Sequence, residues 1–306
     1  LTLVGLGLGG PESLTQAGIA AIREATAVFA EGYTSPLLPE TLAWVEREAG
    51  SVQLLSREEV EQPETLLAAA RDSDAVLLIG GDPLSATTHV SLRLQCGEAG
   101  IECRVVHNAS VLTTVAGELG LQHYRFGPVA TLVTPQGDYR PLSPVKRVLQ
   151  NIEAGFHSLV LLDIRADDPA TEPRLMAATE GAALLLEGGV ATGARACATA
   201  RVGRSDQQIW CGTLGEMAQA KIGEVPHSTG TDSYTHLRAH ETLRNLVCRL
   251  LLEKNTKPRR VSSPPSPFPS SSSCSHLSAV PTSNQASSTA SSAPLHTPEQ
   301  LHHLAL

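Results

Sequence analysis

Aromatic side chains are scarce in this chain: Phe, Trp and Tyr together make up 3% of its 306 residues. The hydrophobic core must therefore be built from Leu, Val, Ile and Ala. No apolar run approaches the ~18 residues that a membrane-spanning helix requires, so we expect no membrane partner. The length and the 42% hydrophobic content suit a globular protein of two ordinary domains.

The cysteines lack the spacing of a zinc site or of a disulfide framework, because no two of them form a CxxC pair. The first residues do not have the pattern of a secretory signal peptide. We therefore expect reduced thiols in a cytoplasmic protein. The six cysteines are Cys96, Cys103, Cys197, Cys211, Cys248 and Cys274.

Basic charge is also in short supply. The formal net charge is −8, and residues 1–227 alone contain 16 Lys/Arg against 27 Asp/Glu. Surfaces that bind nucleic acid are usually basic, because they neutralise phosphates. The sequence therefore predicts no nucleic-acid partner.

Short aliphatic runs alternate with amphipathic helical patterns through the first 120 residues. Strands are predicted over 2–4, 27–30, 52–55, 75–79 and 103–106, and helices over 16–26, 39–48, 65–72, 85–98 and 111–119. A capping-box spacing at Ser56 predicts a further helix start. This alternation indicates a parallel sheet covered by helices.

A second α/β region follows, with a boundary expected between residues 115 and 125. Strands are predicted over 129–133, 158–162 and 196–202, and helices over 144–154, 174–186 and 214–219, with a short turn at Gly212. We therefore predict an α/β fold with domains at 1–118 and 119–228.

The stretch 80–89 reads Gly-Gly-Asp-Pro-Leu-Ser-Ala-Thr-Thr-His and follows the predicted strand 75–79. Two glycines allow close approach of a ligand or of another backbone, and Pro83 biases Asp82 away from helical geometry. Ligands of open α/β sheets bind at the carboxyl ends of strands. The stretch is therefore a candidate ligand loop. An ordinary strand-to-helix turn is the alternative.

Gly5-x-Gly7-x-x-Gly10 matches the dinucleotide fingerprint, and Glu31 stands about twenty residues further on. An NAD-binding oxidoreductase is therefore a rival hypothesis. Glu12 counts against it, because a carboxylate there would lie beside the pyrophosphate.

The chain changes character near residue 229. Residues 231–242 resemble a translated sequencing adapter, and residues 261–296 are rich in Ser, Pro, Thr and Ala, which predicts disorder. We therefore expect 229–306 to be a non-native or disordered tail. His236 and His240 have the spacing of a helical metal pair, but no third ligand is evident, and we predict no metal site.

Eight segments, taken together and in order, resemble the diphthine synthase family within the tetrapyrrole methylase-like fold. They cover residues 3–9, 30–35, 56–62, 81–89, 107–110, 161–164, 200–203 and 226–228. Beyond Pro226-His227-Ser228 the family continues with an aliphatic strand, and its absence here would expose a sheet edge. The second domain is therefore expected to be truncated.

The resemblance implies an S-adenosylmethionine-dependent methyltransferase, a homodimer whose cofactor binds in a cleft between two α/β domains. The implied acceptor is the aminocarboxypropyl-histidine of translation elongation factor 2, converted to diphthine. By the family's pattern, the cofactor contacts are Leu8, Asp82, Ser85, Ser110, Val111, Leu162, Val202 and His227.

Methyl transfer from a sulfonium asks mainly for alignment of a deprotonated amine. No catalytic base is evident; His89 and His107 are candidates, and solvent could suffice. His123 and His157 are predicted to be core or cap residues. A corrin or RNA methylase of the same superfamily, and a binding module without turnover, remain alternatives.

Overall fold

The computed structural model describes residues 1–166 and 173–232. Its first part is a β/α alternation, as predicted. The elements are β1 (Thr2–Gly5), α1 (Gln16–Glu24), β2 (Ala27–Glu31), α2 (Pro39–Ala49), β3 (Val52–Leu55), α3 (Arg57–Glu61), α4 (Glu64–Asp72), β4 (Ala75–Ile79), α5 (His89–Glu98), β5 (Arg104–Val106) and α6 (Val111–Glu118).

The first sheet is entirely parallel, in the order β3-β2-β4-β1-β5. Successive side chains of a strand face opposite sides, and both sides are covered here. Leu77 and Ile79 of β4 pack in one apolar cluster, whereas Val76 and Leu78 pack in another with Ile22 of α1. Helices on both faces make every residue of β4 buried.

Helix starts follow the predicted capping chemistry. The Thr15 hydroxyl accepts from the Gly18 N–H (3.0 Å) at the start of α1. Ser56 and Glu59 form the predicted capping box at α3, with each side chain accepting from the other's backbone N–H.

The second part supplies β6 (Ala130–Leu132), α7 (Ser143–Glu153), β7 (Ser158–Leu162), β8 (Ile164–Arg165), β9 (Arg174–Leu175), α8 (Ala178–Glu187), β10 (Arg195–Ala200), β11 (Gln208–Thr213), α9 (Leu214–Met217) and β12 (His227–Asp232). Its sheet has the order β11-β10-β12-β7-β6. Only β6 and β7 are parallel; the other pairs are antiparallel. A separate hairpin joins β8 and β9.

Helices α7, α8 and α9 cover one face of the second sheet, around an aliphatic cluster that includes Val160, Leu185 and Leu214. The other face is covered by α6, through Val115 and the adjoining Leu119. Because α6 precedes the boundary predicted at residue 118 yet packs on the second sheet, it connects the two halves. The division of the chain into domains at that residue stays a prediction.

Three sequence predictions about individual elements are wrong in detail. The helix expected from residue 85 begins at His89, because residues 82–88 form a turn around Asp82. The helix expected over 174–186 begins at Ala178, after the hairpin strand β9. Gly212 is not in a turn but pairs with Ala196 in β11.

The strand expected to be missing is present. β12 occupies the middle of the second sheet and runs past residue 228 to Asp232, pairing with β10 and β7. A polar sequence can fill this place because the backbone ladder does not depend on apolar side chains. The predictions for 233–306, including the His236/His240 pair, lie outside the described residues. Within the described part, no helix is long and apolar enough to cross a membrane.

Candidate active site

The carboxyl ends of the first sheet and the facing edge of the second sheet line one cleft, with a cavity volume of about 780 Å³. All eight residues predicted to contact the cofactor lie on its walls. They are Leu8, Asp82, Ser85, Ser110, Val111, Leu162, Val202 and His227. Although widely spaced in the chain, they therefore meet in one place.

Two glycine turns form the floor of the cleft on the first-sheet side. The N–H of Gly7 donates to the carbonyl of Gly81 (3.1 Å), and the N–H of Gly81 donates back to Gly7 (2.9 Å). Both have a positive φ, +73° and +74°, which favours glycine. A Cβ added to Gly5 would lie 2.6 Å from the Gly81 carbonyl oxygen. The two loops therefore touch through backbone.

Asp82 is held by four hydrogen bonds. Its Oδ1 accepts from the N–H of Leu84 (3.0 Å) and the hydroxyl of Ser85 (3.1 Å). Its Oδ2 accepts from Nδ1 of His107 (2.7 Å) and the N–H of Asn108 (3.2 Å). Burial raises the pKa of Asp82, but the hydrogen bonds outweigh it and hold the pKa below its ordinary value. Asp82 is therefore an ionised residue that ties the loop after β4 to the loop after β5.

The Asn108 side chain links separate backbone segments through hydrogen bonds, a role that sequence reasoning did not single out. Its Nδ2 donates to the carbonyls of Gly5 (2.9 Å) and Ser13 (3.1 Å), and its Oδ1 accepts from the N–H of Ala109 (2.7 Å). The loop after β5 is thereby joined to both ends of the connection between β1 and α1. The only sequence signal was its place in a polar segment after a strand.

Ser110 caps α6, because its hydroxyl accepts from the N–H of Leu112 (3.2 Å). Ser85 donates to Asp82. Both serines therefore have a structural partner as well as a place on the cleft wall. Neither is arranged as a nucleophile beside a base.

The second wall carries His227, at the start of β12. Its Nδ1 accepts from the N–H of Ala178 (3.0 Å), so the proton of the neutral ring is on Nε2. That Nε2 is buried without a hydrogen-bond partner among the described residues. Burial lowers the pKa of His227, offset in part by the carbonyls of Gly223 and Glu224. Apart from these two nearby carbonyls, the N–H of the neutral ring has no acceptor within hydrogen-bond geometry among the described residues.

Two non-glycine residues of the described chain have left-handed backbone, and both line the cleft. Ala86 has φ +59° and Arg201 has φ +51°. Such conformations cost roughly 1–2 kcal/mol per residue, and they concentrate at functional sites. Their position fits a ligand site here.

The NAD hypothesis fails on geometry. The N–H of Gly10, which would face a pyrophosphate, donates to Oε1 of Glu12 (3.1 Å). Glu31 is fully buried and accepts from the N–H of Thr34 (3.1 Å), so it cannot reach a ribose. The glycine pattern is instead explained by the contact between the two loops.

The histidines differ in environment. The side chain of His107 is 65% exposed and donates to Asp82, whereas His89 is buried. His157 is buried beside Phe126, as predicted for a core histidine, but His123 is exposed. No group of three or more His, Cys, Asp or Glu side chains in the described residues is placed to hold a metal ion.

Known proteins that resemble this chain identify its family. Residues 1–218 match the family model for tetrapyrrole (corrin/porphyrin) methylases. A diphthine synthase of Methanocella arvoryzae is 38% identical over 257 residues, covering 81% of this chain and 98% of the relative. This chain belongs to the diphthine synthase family. A diphthine methyl ester synthase of Schizosaccharomyces pombe is 35% identical, covering 74% of this chain and 86% of that protein.

The fold agrees with that of the family. A crystal structure of diphthine synthase superposes with a TM-score of 0.71 at 29% identity, covering 82% of this chain and 94% of that one. The two α/β layers with a cleft between them are therefore confirmed. Because 81% of 306 residues is about 248, the match extends beyond residue 228, where the resemblance was expected to stop.

As a diphthine synthase, the chain is an S-adenosylmethionine-dependent methyltransferase of diphthamide biosynthesis. Four arginines that sequence reasoning missed also line its cleft: Arg57, Arg165, Arg201 and Arg204. Arg165 pairs with Asp163 (3.1 Å) and donates to the carbonyl of Thr134 (2.8 Å). Arg57 and Arg201 are also ion-paired, with Glu61 and Asp206, and Asp82 and Asp163 line the same cleft. The cleft therefore offers guanidinium donors suited to a carboxylate rather than a uniformly cationic surface.

Proposed function

We propose that this diphthine synthase methylates the amine of the aminocarboxypropyl-histidine of translation elongation factor 2. The observation that carries the proposal is the convergence of all eight implied cofactor residues on one cleft, in a chain 38% identical to a diphthine synthase. The arginines of the same cleft suit the carboxylate that this acceptor carries beside its amine.

We propose that the eight residues hold S-adenosylmethionine, and several features of the cleft fit that group. The backbone at Gly81 is open, because a Cβ there would meet nothing closer than 3.8 Å. Nε2 of His227 is a buried donor that makes no hydrogen bond within the described residues, which suits it to an acceptor atom of the cofactor. Leu8, Leu162 and Val202 provide apolar surface for its adenine.

When bound, S-adenosylmethionine supplies an electrophilic methyl group on a sulfonium. The ionised Asp82 gives the first wall a fixed negative charge, which favours that cation. The hydrogen bonds from His107 and Asn108 keep this carboxylate in place. The wall residues thus orient reactants and exclude water, an effect that can supply up to ~7–11 kcal/mol in ideal cases.

We also propose that the protein is a cytoplasmic homodimer without a nucleic-acid partner. The family resemblance supports the dimer, and the acidic balance of residues 1–227 argues against nucleic acid. Light scattering of the full chain at micromolar concentration should give twice the monomer mass of 32.2 kDa. A single-chain mass would contradict the dimer.

The function is tested with the full chain and S-adenosylmethionine labelled in its methyl group. We expect calorimetric binding of S-adenosylmethionine but not of NADH. Label should pass to elongation factor 2 that carries the aminocarboxypropyl group and not to the unmodified factor. Transfer to a corrin or to ribosomal RNA, with none to the modified factor, would overturn the proposal.

A further inference from the structure

The first sheet contains a buried carboxylate and a buried imidazole that none of the roles above explains. Glu31 ends β2 and His89 begins α5, with exposed fractions of 0% and 1%. Nε2 of His89 lies 3.9 Å from Oε1 of Glu31. Charge at this depth is tolerated only when it is paired. The two residues therefore form one titrating unit.

The hydrogen bonds around His89 fix which ring nitrogen carries the proton. Nδ1 lies 3.0 Å from the carbonyl oxygen of Pro83, and a carbonyl only accepts, so Nδ1 is the donor. In the neutral ring Nε2 is then an acceptor. The hydroxyl of Tyr33 is 3.3 Å from Nε2 and therefore donates to it.

Beyond Tyr33, a further hydroxyl group lies between His89 and the cleft. Because Tyr33 gives its hydrogen to His89, the oxygen of Tyr33 can accept from the hydroxyl of Thr88, which is close enough to lower the pKa of Tyr33. Thr88 is exposed, and both Thr88 and Tyr33 line the cleft. Two hydroxyl groups, of Thr88 and Tyr33, thus lie between the cleft and a buried base.

We propose that Thr88, Tyr33 and His89, backed by Glu31, form a relay that removes the proton of the acceptor ammonium before methyl transfer. This inference rests on the proposed function, in which the acceptor is an amine. Each methyl group added to an ammonium displaces one proton, so each transfer needs a proton acceptor.

The proton moves from the acceptor to His89 in three transfers. An N–H of the ammonium gives its proton to the oxygen of Thr88, whose own hydrogen passes to Tyr33. The hydrogen of Tyr33 passes to Nε2 of His89. The products are a neutral amine, with the lone pair that attacks the methyl carbon, and an imidazolium facing the carboxylate of Glu31. Return of the proton to solvent restores the relay.

Burial sets the pH range of the pair. It raises the pKa of Glu31 to about 7, although Thr34 and the charge of Arg57 act in the opposite direction. Burial also lowers the pKa of His89. Above about pH 7 the Glu31–His89 pair is deprotonated and can accept a proton. Below that pH Glu31 already carries a proton, so the pair cannot accept another.

Charges from α3 flank the relay. The guanidinium of Arg57 lies 5.1 Å from the ring centre of Tyr33, and the carboxylate of Glu61 also acts on that hydroxyl. The pKa of Tyr33 is raised to about 12, mainly by burial. Tyr33 therefore stays protonated and can only pass a hydrogen on.

The relay is tested by single-turnover methyl transfer to the modified elongation factor between pH 6.5 and 9.5. Thr88→Val and Tyr33→Phe each remove one hydroxyl and keep the shape of the side chain. We expect each to slow transfer at pH 7.5 by about a hundredfold, the low end of what a positioned base contributes. The deficit should shrink toward pH 9.5, where the amine loses its proton to water unaided.

Thr88→Ser keeps the hydroxyl and should recover most of the rate that Thr88→Val loses. Tyr124→Phe, at a residue 74% exposed, is the matched control for loss of a phenol hydroxyl. Affinity for S-adenosylmethionine should stay within twofold in all variants. A deficit that is equal at every pH, a deficit matched by lost cofactor affinity, or no deficit would each overturn the relay. If the wild type labels no elongation factor at any pH, the proposed function itself is wrong and the relay falls with it.

Discussion

The middle strands of the two sheets are opposite in chemistry. β4 consists of five aliphatic residues, all buried, between β2 and β1. β12 reads His-Ser-Thr-Gly-Thr-Asp, yet it holds the same central place between β10 and β7. Both strands satisfy their backbone groups through ladders on two sides. The comparison shows that a central position requires a ladder, while the side chains decide what the strand contributes.

The polar strand β12 packs against α6 through a glycine. A Cβ added to Gly230 would lie 3.3 Å from Cδ1 of Leu119, at the end of α6. The missing side chain thus lets α6 pack close to the second sheet. The hydroxyl of Thr229 donates to the carbonyl of Val160 (3.3 Å), whereas the buried hydroxyl of Thr231 has no partner in the described residues. β12 therefore contributes backbone pairing with β10 and β7 rather than burial of apolar side chains.

The largest effect is expected in β4. Leu77 is fully buried and packs with Leu3 and Phe29. Leu77→Ala removes apolar contacts and leaves a cavity, so we expect a loss of about 3 kcal/mol in the free energy of unfolding. Urea denaturation measures it. A loss below about 1 kcal/mol would mean that β4 is no more important than β12.

The Asp82 carboxylate in the loop after β4 should also stabilise the folded chain, and its contribution to the unfolding free energy should depend on pH. Asp82→Asn turns an amide toward the N–H of Asn108 and leaves a partly buried donor unsatisfied, which costs about 1 kcal/mol at pH 7. The lowered pKa of Asp82 means that the wild-type advantage is complete above about pH 4 and is lost as the pH falls through the folded pKa.

Urea denaturation of the wild type and Asp82→Asn at pH 7 and pH 3 tests this. The difference in unfolding free energy should be larger at pH 7. An equal difference at both values would show that the carboxylate is not ionised in the folded chain.

In β12 the hydroxyl of Thr231 is buried and has no hydrogen-bond partner within residues 1–166 and 173–232. Thr231→Val keeps the shape and removes this hydroxyl, so we expect a gain of about 1 kcal/mol in unfolding free energy. Thermal or urea unfolding is the measurement. A loss of stability would show that this hydroxyl is hydrogen-bonded after all.

Thr229→Val is the matched change two residues earlier, on the same face of β12. It removes a long hydrogen bond while the Val160 carbonyl stays in the ladder. We therefore expect a change within about 0.5 kcal/mol. If Thr229→Val were as stabilising as Thr231→Val, the hydrogen bond to Val160 would contribute nothing.

Aliphatic strands were predictable from the sequence because burial on both faces needs continuous apolar runs. β4 and β7 have the predicted ends. The half-exposed edge strand β3 and the capping box at Ser56 also form where the sequence predicted them. β12 could not be found this way, since a run of Ser, Thr and Gly has no periodic apolar signal. The short hairpin of β8 and β9 was missed for a similar reason, because two residues carry no pattern.

The sequence by itself determined the parallel first sheet, the eight cleft residues through their family pattern, and the acidic balance of the chain. Only the tertiary structure decided what those residues do. It shows that Asp82 and Asn108 fasten loops, that Nε2 of His227 makes no hydrogen bond within the described residues, and that Glu31 pairs with His89 rather than facing a ribose. The physical reason is that hydrogen-bond partners and burial depend on distances between segments, which no local pattern records.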